Sequence, residues 1–459
     1  MNLLGAVSVW TSVVILGATL LACANWVRQR PPHTLGVLPV AIVVFAFLYL
    51  VQPLYLIAAG QMEVFLEPLQ VAKGIAAPAL MFWCLWYGWR KPYNRCPQRV
   101  ASQGPPARRL WNFGFVLALA GLLLFMVFLR RSGGIRAAYS AQHGQAMAWL
   151  ENTAYLYSSP FWALTGLATM IYAASGKRLV GWRRLAPWAL ALLLFVHALL
   201  LGSRAWTFAV PSAILLSWGL GGRRTITMGR IGGFLLLVGL GVLLVLGYRS
   251  VLHLGEKTSE APSLGEALAT AVSVDDRHTS LRTTGVEFVF HAALVDTVDK
   301  TQKYHLGINW LYLYTVHLIP RIWWPGKPYG FATPGVTWDD IAAETGVRIA
   351  GGAAPGIVGD IYAQFGPLSV VFFYLFGRLA RRWYEAARHP GNALVSVSYV
   401  VFYCFSLNCF AQGFGAILVP LPYAIAPLAV WWLAVAPKKR VIRRVPEPIR
   451  IRPFVGRST

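Results

Sequence analysis

Acidic residues are scarce in this chain. Its 459 residues include 17 Asp and Glu against 41 Lys and Arg, and only 13% are charged at all. Soluble domains carry about 25% charged residues, so a water-soluble globular fold is excluded. Cysteine is also sparse. Cys23, Cys84, Cys96, Cys404 and Cys409 show no metal-ligand spacing with His, and all but Cys96 lie in apolar runs. That removes a disulfide framework and a zinc site. The patterns G-x-x-x-x-G-K-[ST], G-x-S-x-G and H-E-x-x-H are absent, which removes support for nucleotide, serine and zinc hydrolysis. No basic segment precedes the first apolar run at Leu3, and a basic loop follows it. That order marks a first transmembrane helix with its N-terminus outside, not a cleavable signal peptide. No internal repeat is evident.

Long apolar runs make up most of the chain. Hydrophobic residues account for 57% of it, and the mean hydropathy is +0.54. A span needs about 20 apolar residues. Such runs fall at about 4–24, 35–59, 69–89, 110–129, 153–174, 185–201, 205–220, 231–248, 357–377, 393–410 and 416–436. The sixth and seventh are separated only by Gly202-Ser203-Arg204, and together they are too long for one span, so a tight turn lies there. The fold class is therefore all-α, a polytopic membrane protein of about eleven transmembrane helices. A long outer loop at 250–356 holds short helices, and 437–459 is a basic cytoplasmic tail.

The net charge of +24 maps topology and does not indicate nucleic acid. Short loops rich in Lys and Arg stay cytoplasmic. With the N-terminus outside and the C-terminus inside, the inner segments hold 27 of the 41 cations but only two acids, Glu385 and Glu447. The basic tail is expected to lie against the anionic inner leaflet.

The stretch from Tyr304 to Gly366 is the richest mixture of aromatic, Pro, Gly and charged residues. Its centre, Ile319-Pro320-Arg321-Ile322-Trp323-Trp324-Pro325-Gly326-Lys327-Pro328, holds two cations among Pro and Trp. It suits either a rigid aromatic pocket for an anionic or sugar-bearing ligand or an interfacial loop at headgroup level. Residues 306–324 are nearly apolar enough to span. Asn309, His317, Pro320 and Arg321 argue instead for an interfacial or re-entrant helix.

Cations on the outer side run against the topology rule. They include Arg130, Arg131, Arg136, Arg204, Arg249, Arg277, Arg282, Arg321, Lys327 and Arg348. Arg204 stands out, because a charge in a tight turn between apolar runs is costly and is usually paired. Guanidinium holds phosphate in a bidentate way and stays charged, so a lipid pyrophosphate fits both the chemistry and the location. Glu287, His291, His317, Asp339, Asp340, Glu344 and Asp360 are the candidate acids and bases. His291 suits a structural role, and Asp339-Asp340 lack a third ligand for a metal. Asp360 opens an apolar helix with Gln364 one turn on, on the same face. It reads either as a reactive carboxylate or as an N-terminal acid favoured by the helix dipole.

With these features the chain resembles bacterial O-antigen and oligosaccharide repeat-unit polymerases of the Wzy type. The resemblance rests on Gly202-Ser203-Arg204 followed by one long outer loop. It rests further on Tyr304-x-x-Gly307 leading to Ile319-Pro320-Arg321, and on Trp324-Pro325-Gly326-Lys327-Pro328. The last carrier is Gly351-Gly352 leading to Gly359-Asp360-x-Tyr362-x-x-Phe365-Gly366. Asp360 departs from the pattern, where Glu is more usual.

The resemblance implies a metal-independent, inverting glycosyltransferase with no cofactor, in the bacterial inner membrane. It would move a growing glycan from undecaprenyl pyrophosphate onto a lipid-linked repeat unit at the outer face. Arg204, Arg321, Asp360 and His317 are its catalytic candidates. Arg249, Arg282, Lys327, Trp324, Tyr362 and Arg136 would bind pyrophosphate or sugar. Its partners would be the lipid-linked oligosaccharide, the bilayer and a chain-length regulator. A ligase of similar architecture and a flippase or transporter are the alternatives.

Overall fold

The computed structural model describes residues 3–30, 35–91, 106–135, 138, 155–175, 181–201, 204–222, 233, 239, 286–316, 319, 323–327, 335–347, 354–389, 392–418 and 420–435. Among these residues the fold is all helix, with no strand. Eight described helices are long and apolar enough to cross a membrane. The chain is a multi-pass membrane protein. In lipid an exposed backbone N–H or C=O finds no partner, and a helix satisfies both internally.

The elements follow in order. Helix α1 is Leu3–Arg28 and α2 is Leu38–Ala58. Helix α3 is Pro68–Arg90 and α4 is Ala107–Arg131. Helices α5 (Pro160–Ser175), α6 (Trp182–Leu200) and α7 (Arg204–Gly222) come next. Then follow α8 (Val286–Thr301), α9 (Ile308–Thr315) and α10 (Trp338–Thr345). Helix α11 is Gly356–Phe365, and a 3-10 turn joins it to α12, Ser369–Arg388. Helix α13 is Ala393–Gln412 and α14 is Pro420–Val435, with the short turn Gly415–Leu418 before it.

Local chemistry explains several details. Helix α3 opens with Pro68 at its first position and a reciprocal cap between Glu67 and Gln70. Proline suits that position because its missing N–H would be unpaired there anyway. Helix α2 carries a π-helical turn at Phe47–Val51, closed by Gln52 N–H donating to Phe47 O. Pro53 has no N–H to return to Tyr49, so the ladder shifts register here.

Helix α13 is the hub. It is mostly buried and packs against α2, α5, α7, α11, α12 and α14. On one side α3 lies between α1 and α12, and on the other α5 lies among α4, α6, α7 and α14. Glycine sets the closest crossings. A Cβ on Gly88 of α3 would lie 2.2 Å from the Tyr374 carbonyl oxygen of α12, and one on Gly377 would lie 2.2 Å from Leu85 O. Gly114 of α4 and Gly166 of α5 form a second pair, each facing the other's carbonyl at under 3 Å. Water drives no helix together inside a bilayer, so backbone approach across small residues supplies the packing.

The break between α6 and α7 falls where the sequence expects a turn, and the two helices pack together. The fifth expected span, 153–174, appears as the shorter α5. The eighth, 231–248, lies outside the described residues apart from Gly233 and Gly239, as does the tail at 437–459. The segment 250–356 holds more than surface helices. Within it, α8 is buried on every face from Phe288 to Val298 and sits between α3 and α11. A helix buried on all its faces belongs inside a bundle, and its polar groups at His291 and Asp296 find partners on α3.

Candidate functional site

Helix α11 divides two polar regions, because its side chains leave on different faces. Asp360 and Gln364, four residues apart, share one face. Trp310 of α9 donates its indole N–H to Asp360 Oδ1 at 3.3 Å. The Gly415 N–H donates to Asp360 Oδ2 at 2.8 Å. Each oxygen of this carboxylate therefore carries one N–H donor. Gln364 in turn accepts the Gly307 N–H at 3.0 Å. The peptide N–H groups of His305 and Leu306 donate to the carbonyls of Ala363 and Gln364 at 3.0 and 2.9 Å. Asp360 and Gln364 thereby tie α9 and the turn after α13 to α11.

Gly413 makes this turn possible for two reasons. Its φ is +125°, and a Cβ there would lie 2.8 Å from Asp360 Oδ2. Only glycine takes that backbone without strain.

A cavity of about 550 Å³ opens beside Asp360. Its polar wall is His305, Asn309, Thr337, Asp360, Gln364 and Gln412, and its apolar wall includes Phe290, Leu294, Trp338 and Ile341. Trp338 stacks on Phe290 with ring centroids 4.8 Å apart. Thr337 is held by a reciprocal cap with Asp340 at the start of α10. Lys303 bonds Asp340 at 2.6 Å and is the foremost cause of its carboxyl being held low, at about 2. Asp340 is thus committed to a helix cap.

On the other face of α11, the Tyr362 hydroxyl donates to Asp299 of α8. Asp299 belongs to an ionic cluster. Lys73 of α3 lies 2.9 Å from Asp296 and 3.3 Å from Asp299, and Lys300 lies 2.9 Å from Asp296. The Gln70 amide adds a 2.9 Å hydrogen bond to Asp296. Burial pushes the Asp296 carboxyl up, but bonds from Lys300, Lys73 and Gln70 outweigh it and leave the group below its usual value. Deeper in the same interface, burial pushes His291 down to about 3. Neutral His291 gives its Nε2–H to Gly74 O at 3.1 Å, a structural role.

Of the candidate site residues whose side chains are described, Asp360 lines the cavity, together with Gln364 and with Asn309, which the sequence brought forward on other grounds. Tyr362 faces the ionic cluster instead. Lys327 is buried, and its ammonium donates to Ile319 O at 3.1 Å. Its N–H also closes a turn onto Trp324 O at 3.1 Å. Arg204 begins α7, and its side chain lies outside the described residues, as do Arg136, Arg249, Arg282, His317 and Arg321. Sequence reasoning passed over Asn309 and Gln412 as cavity residues and Lys73–Asp296–Asp299 as a cluster. Lys73 inside a span was the available signal for the cluster. Asn309 and Gln412 carried none, since amides are common at helix ends.

No family model, no curated protein and no solved structure matches the chain.

Proposed function

We propose that this protein is a polysaccharide repeat-unit polymerase of the Wzy type in the bacterial inner membrane, with its N-terminus outside and its C-terminus in the cytoplasm. The observation that supports this most is the polar cavity beside Asp360. It is walled largely by the stretch from Tyr304 to Gly366, in a bundle whose spans are otherwise nearly free of charge, Lys73 being the clearest exception.

In this reading the donor glycan arrives on undecaprenyl pyrophosphate. The anomeric C–O bond to pyrophosphate breaks as a hydroxyl of the acceptor repeat unit forms the new glycosidic bond, with inversion. The hydroxyl proton leaves to a base or to water. Negative charge grows on the departing pyrophosphate, and fixed cations stabilise it most where water is excluded. Arg204, Arg321, Arg249, Arg282 and Arg136 are assigned that work. Lys327 supports it by fixing the loop at Ile319. An N–H donor on each oxygen of Asp360 suits a positioning residue better than a proton acceptor, and His317 is the remaining candidate base. A chain-length regulator is the partner this activity would call for.

The test is reconstitution with lipid-linked repeat units. Elongation without added nucleotide or divalent ion supports the proposal. Arg204→Ala and Arg321→Ala should abolish long-chain glycan at normal protein level, and unchanged chains would remove those residues from the site. A ligase is separated by phenotype: loss of a polymerase leaves single repeat units on the final acceptor, and loss of a ligase leaves none.

The Lys73–Asp296–Asp299 cluster favours a second reading, a transporter, because charges packed against spans often mark ion pathways. Translocation without elongation in the same liposomes would select it.

A further inference from the structure

We infer that the cavity beside Asp360 is a subsite for an uncharged sugar ring of the glycan, separate from the cationic site that takes its pyrophosphate. The inference rests on the glycosyltransfer reading for the identity of its ligand, and its chemistry comes from the cavity wall.

That wall carries the amides of Asn309 and Gln412 and an aromatic face from Trp338, while the Gln364 amide and the Thr337 hydroxyl beside them already serve Gly307 and Asp340. None of its described residues is Lys or Arg. Its ionisable groups are Asp360, whose carboxylate repels phosphate, and the single imidazole of His305, so a pyrophosphate finds no fixed cation to balance it here. A lipid tail gains nothing from a row of amides, because burying them without partners costs more than the apolar contact returns. A pyranose ring fits both halves of the wall. Its hydroxyls exchange hydrogen bonds with amides, which donate and accept, and its C–H face packs on an indole. The size lies within the range of small-ligand sites.

A further observation points the same way. Asn309 Oδ1 is buried without a hydrogen-bond partner, although Asn309 lines the cavity. Buried acceptors are nearly always paired, and a turn of this amide offers the acceptor to a ligand hydroxyl. Gln412, at the end of α13, is exposed and lines the same cavity.

The experiment uses the full chain in detergent with Ala416→Cys as a reporter, since Ala416 lines the cavity and Cys23, Cys404 and Cys409 are buried. Wild-type labelling supplies the background. The probe is the lipid-free oligosaccharide released by mild acid from the host's own lipid-linked repeat units, and inorganic pyrophosphate is the comparison. The oligosaccharide should slow maleimide labelling of the introduced thiol while pyrophosphate leaves it unchanged. Asn309→Ala and Gln412→Ala should each weaken that protection roughly threefold to tenfold, the loss of one hydrogen bond. In the elongation assay the same variants should raise the KM for the lipid-linked donor glycan with little change in kcat. Protection by pyrophosphate alone, or by neither probe, overturns the inference without touching the polymerase reading. Protection by oligosaccharide in a protein that never elongates keeps the subsite and overturns the polymerase reading. The labelling comparison on the Ala416→Cys chain decides the matter even where the alanine variants fail to fold.

Discussion

Removing the Asp296 carboxylate should destabilise the protein several times more than removing the Lys300 tip that meets it from solvent. The side chain of Asp296 is 3% exposed and receives Lys73, Lys300 and Gln70, each at 2.9 Å. Asp296→Ala leaves the buried Gln70 amide donor unpaired, which costs about 1–3 kcal/mol. Lys73 keeps Asp299 at 3.3 Å, so no charge is orphaned and the about 3–5 kcal/mol of a broken buried pair is not reached. The expected loss is therefore about 2–3 kcal/mol. Lys300 is 45% exposed, and Lys300→Ala should cost only about 0.2–1 kcal/mol, as for surface pairs. Thermal unfolding in detergent, followed by a thiol-reactive dye that reports exposure of Cys404 and Cys409, separates the two. For a chain of this length each kcal/mol moves the midpoint by roughly 1–2 °C, extrapolating the size scaling. Asp296→Ala should then melt roughly 2–6 °C lower and Lys300→Ala within roughly 2 °C of wild type. Equal shifts, or none for Asp296→Ala, would refute the claim that this carboxylate holds α8 onto α3. The pH dependence has a definite sign. The folded Asp296 carboxyl lies below its ordinary value, so its contribution is complete above the ordinary carboxylate range and is lost as pH falls through the lowered value.

Three further outcomes follow from the same geometry. Asp340 is held at about 2 by Lys303 and the Thr337 cap, so α10 should stay protected above about pH 4 and fray as pH falls towards 2, read by hydrogen exchange over residues 335–347. Gly88→Val or Gly377→Val should abolish monodisperse protein in size-exclusion chromatography, because the would-be Cβ meets a backbone carbonyl at 2.2 Å; Gly17→Val, with nothing within 4 Å, should not. Asp360→Asn should lower elongation by roughly tenfold or more without changing the shape of the pH–rate profile, since the amide mismatches donors that the carboxylate accepted. A profile that loses its lower limb would instead make Asp360 the base.

The class of the protein was legible in the sequence for a simple reason. Spanning helices are set by the length and apolarity of one continuous run, and α1 to α4, α13 and α14 each satisfy that locally. The split between α6 and α7 was legible too, because Gly202-Ser203-Arg204 interrupts a run too long for one crossing. The cap of α10 was not read there: Asp340 stood among the candidate acids, and the structure shows it bonded to Thr337 three residues before it.

Tertiary structure alone decided where the polar groups meet. Lys73 and Asp296 are separated by 223 residues and Trp310 and Asp360 by 50, and no local pattern encodes such pairings. The burial of α8 depends on the space that Gly74 of α3 leaves for Ala292, where an added Cβ would come within 2.6 Å. Charge and motif brought Asp360, Tyr362 and Lys327 into one list. The backbone then sent Asp360 to the cavity, Tyr362 to the ionic cluster and Lys327 to a carbonyl of its own loop. Residues two apart on a helix face different ways, so a shared motif could not make them a shared site.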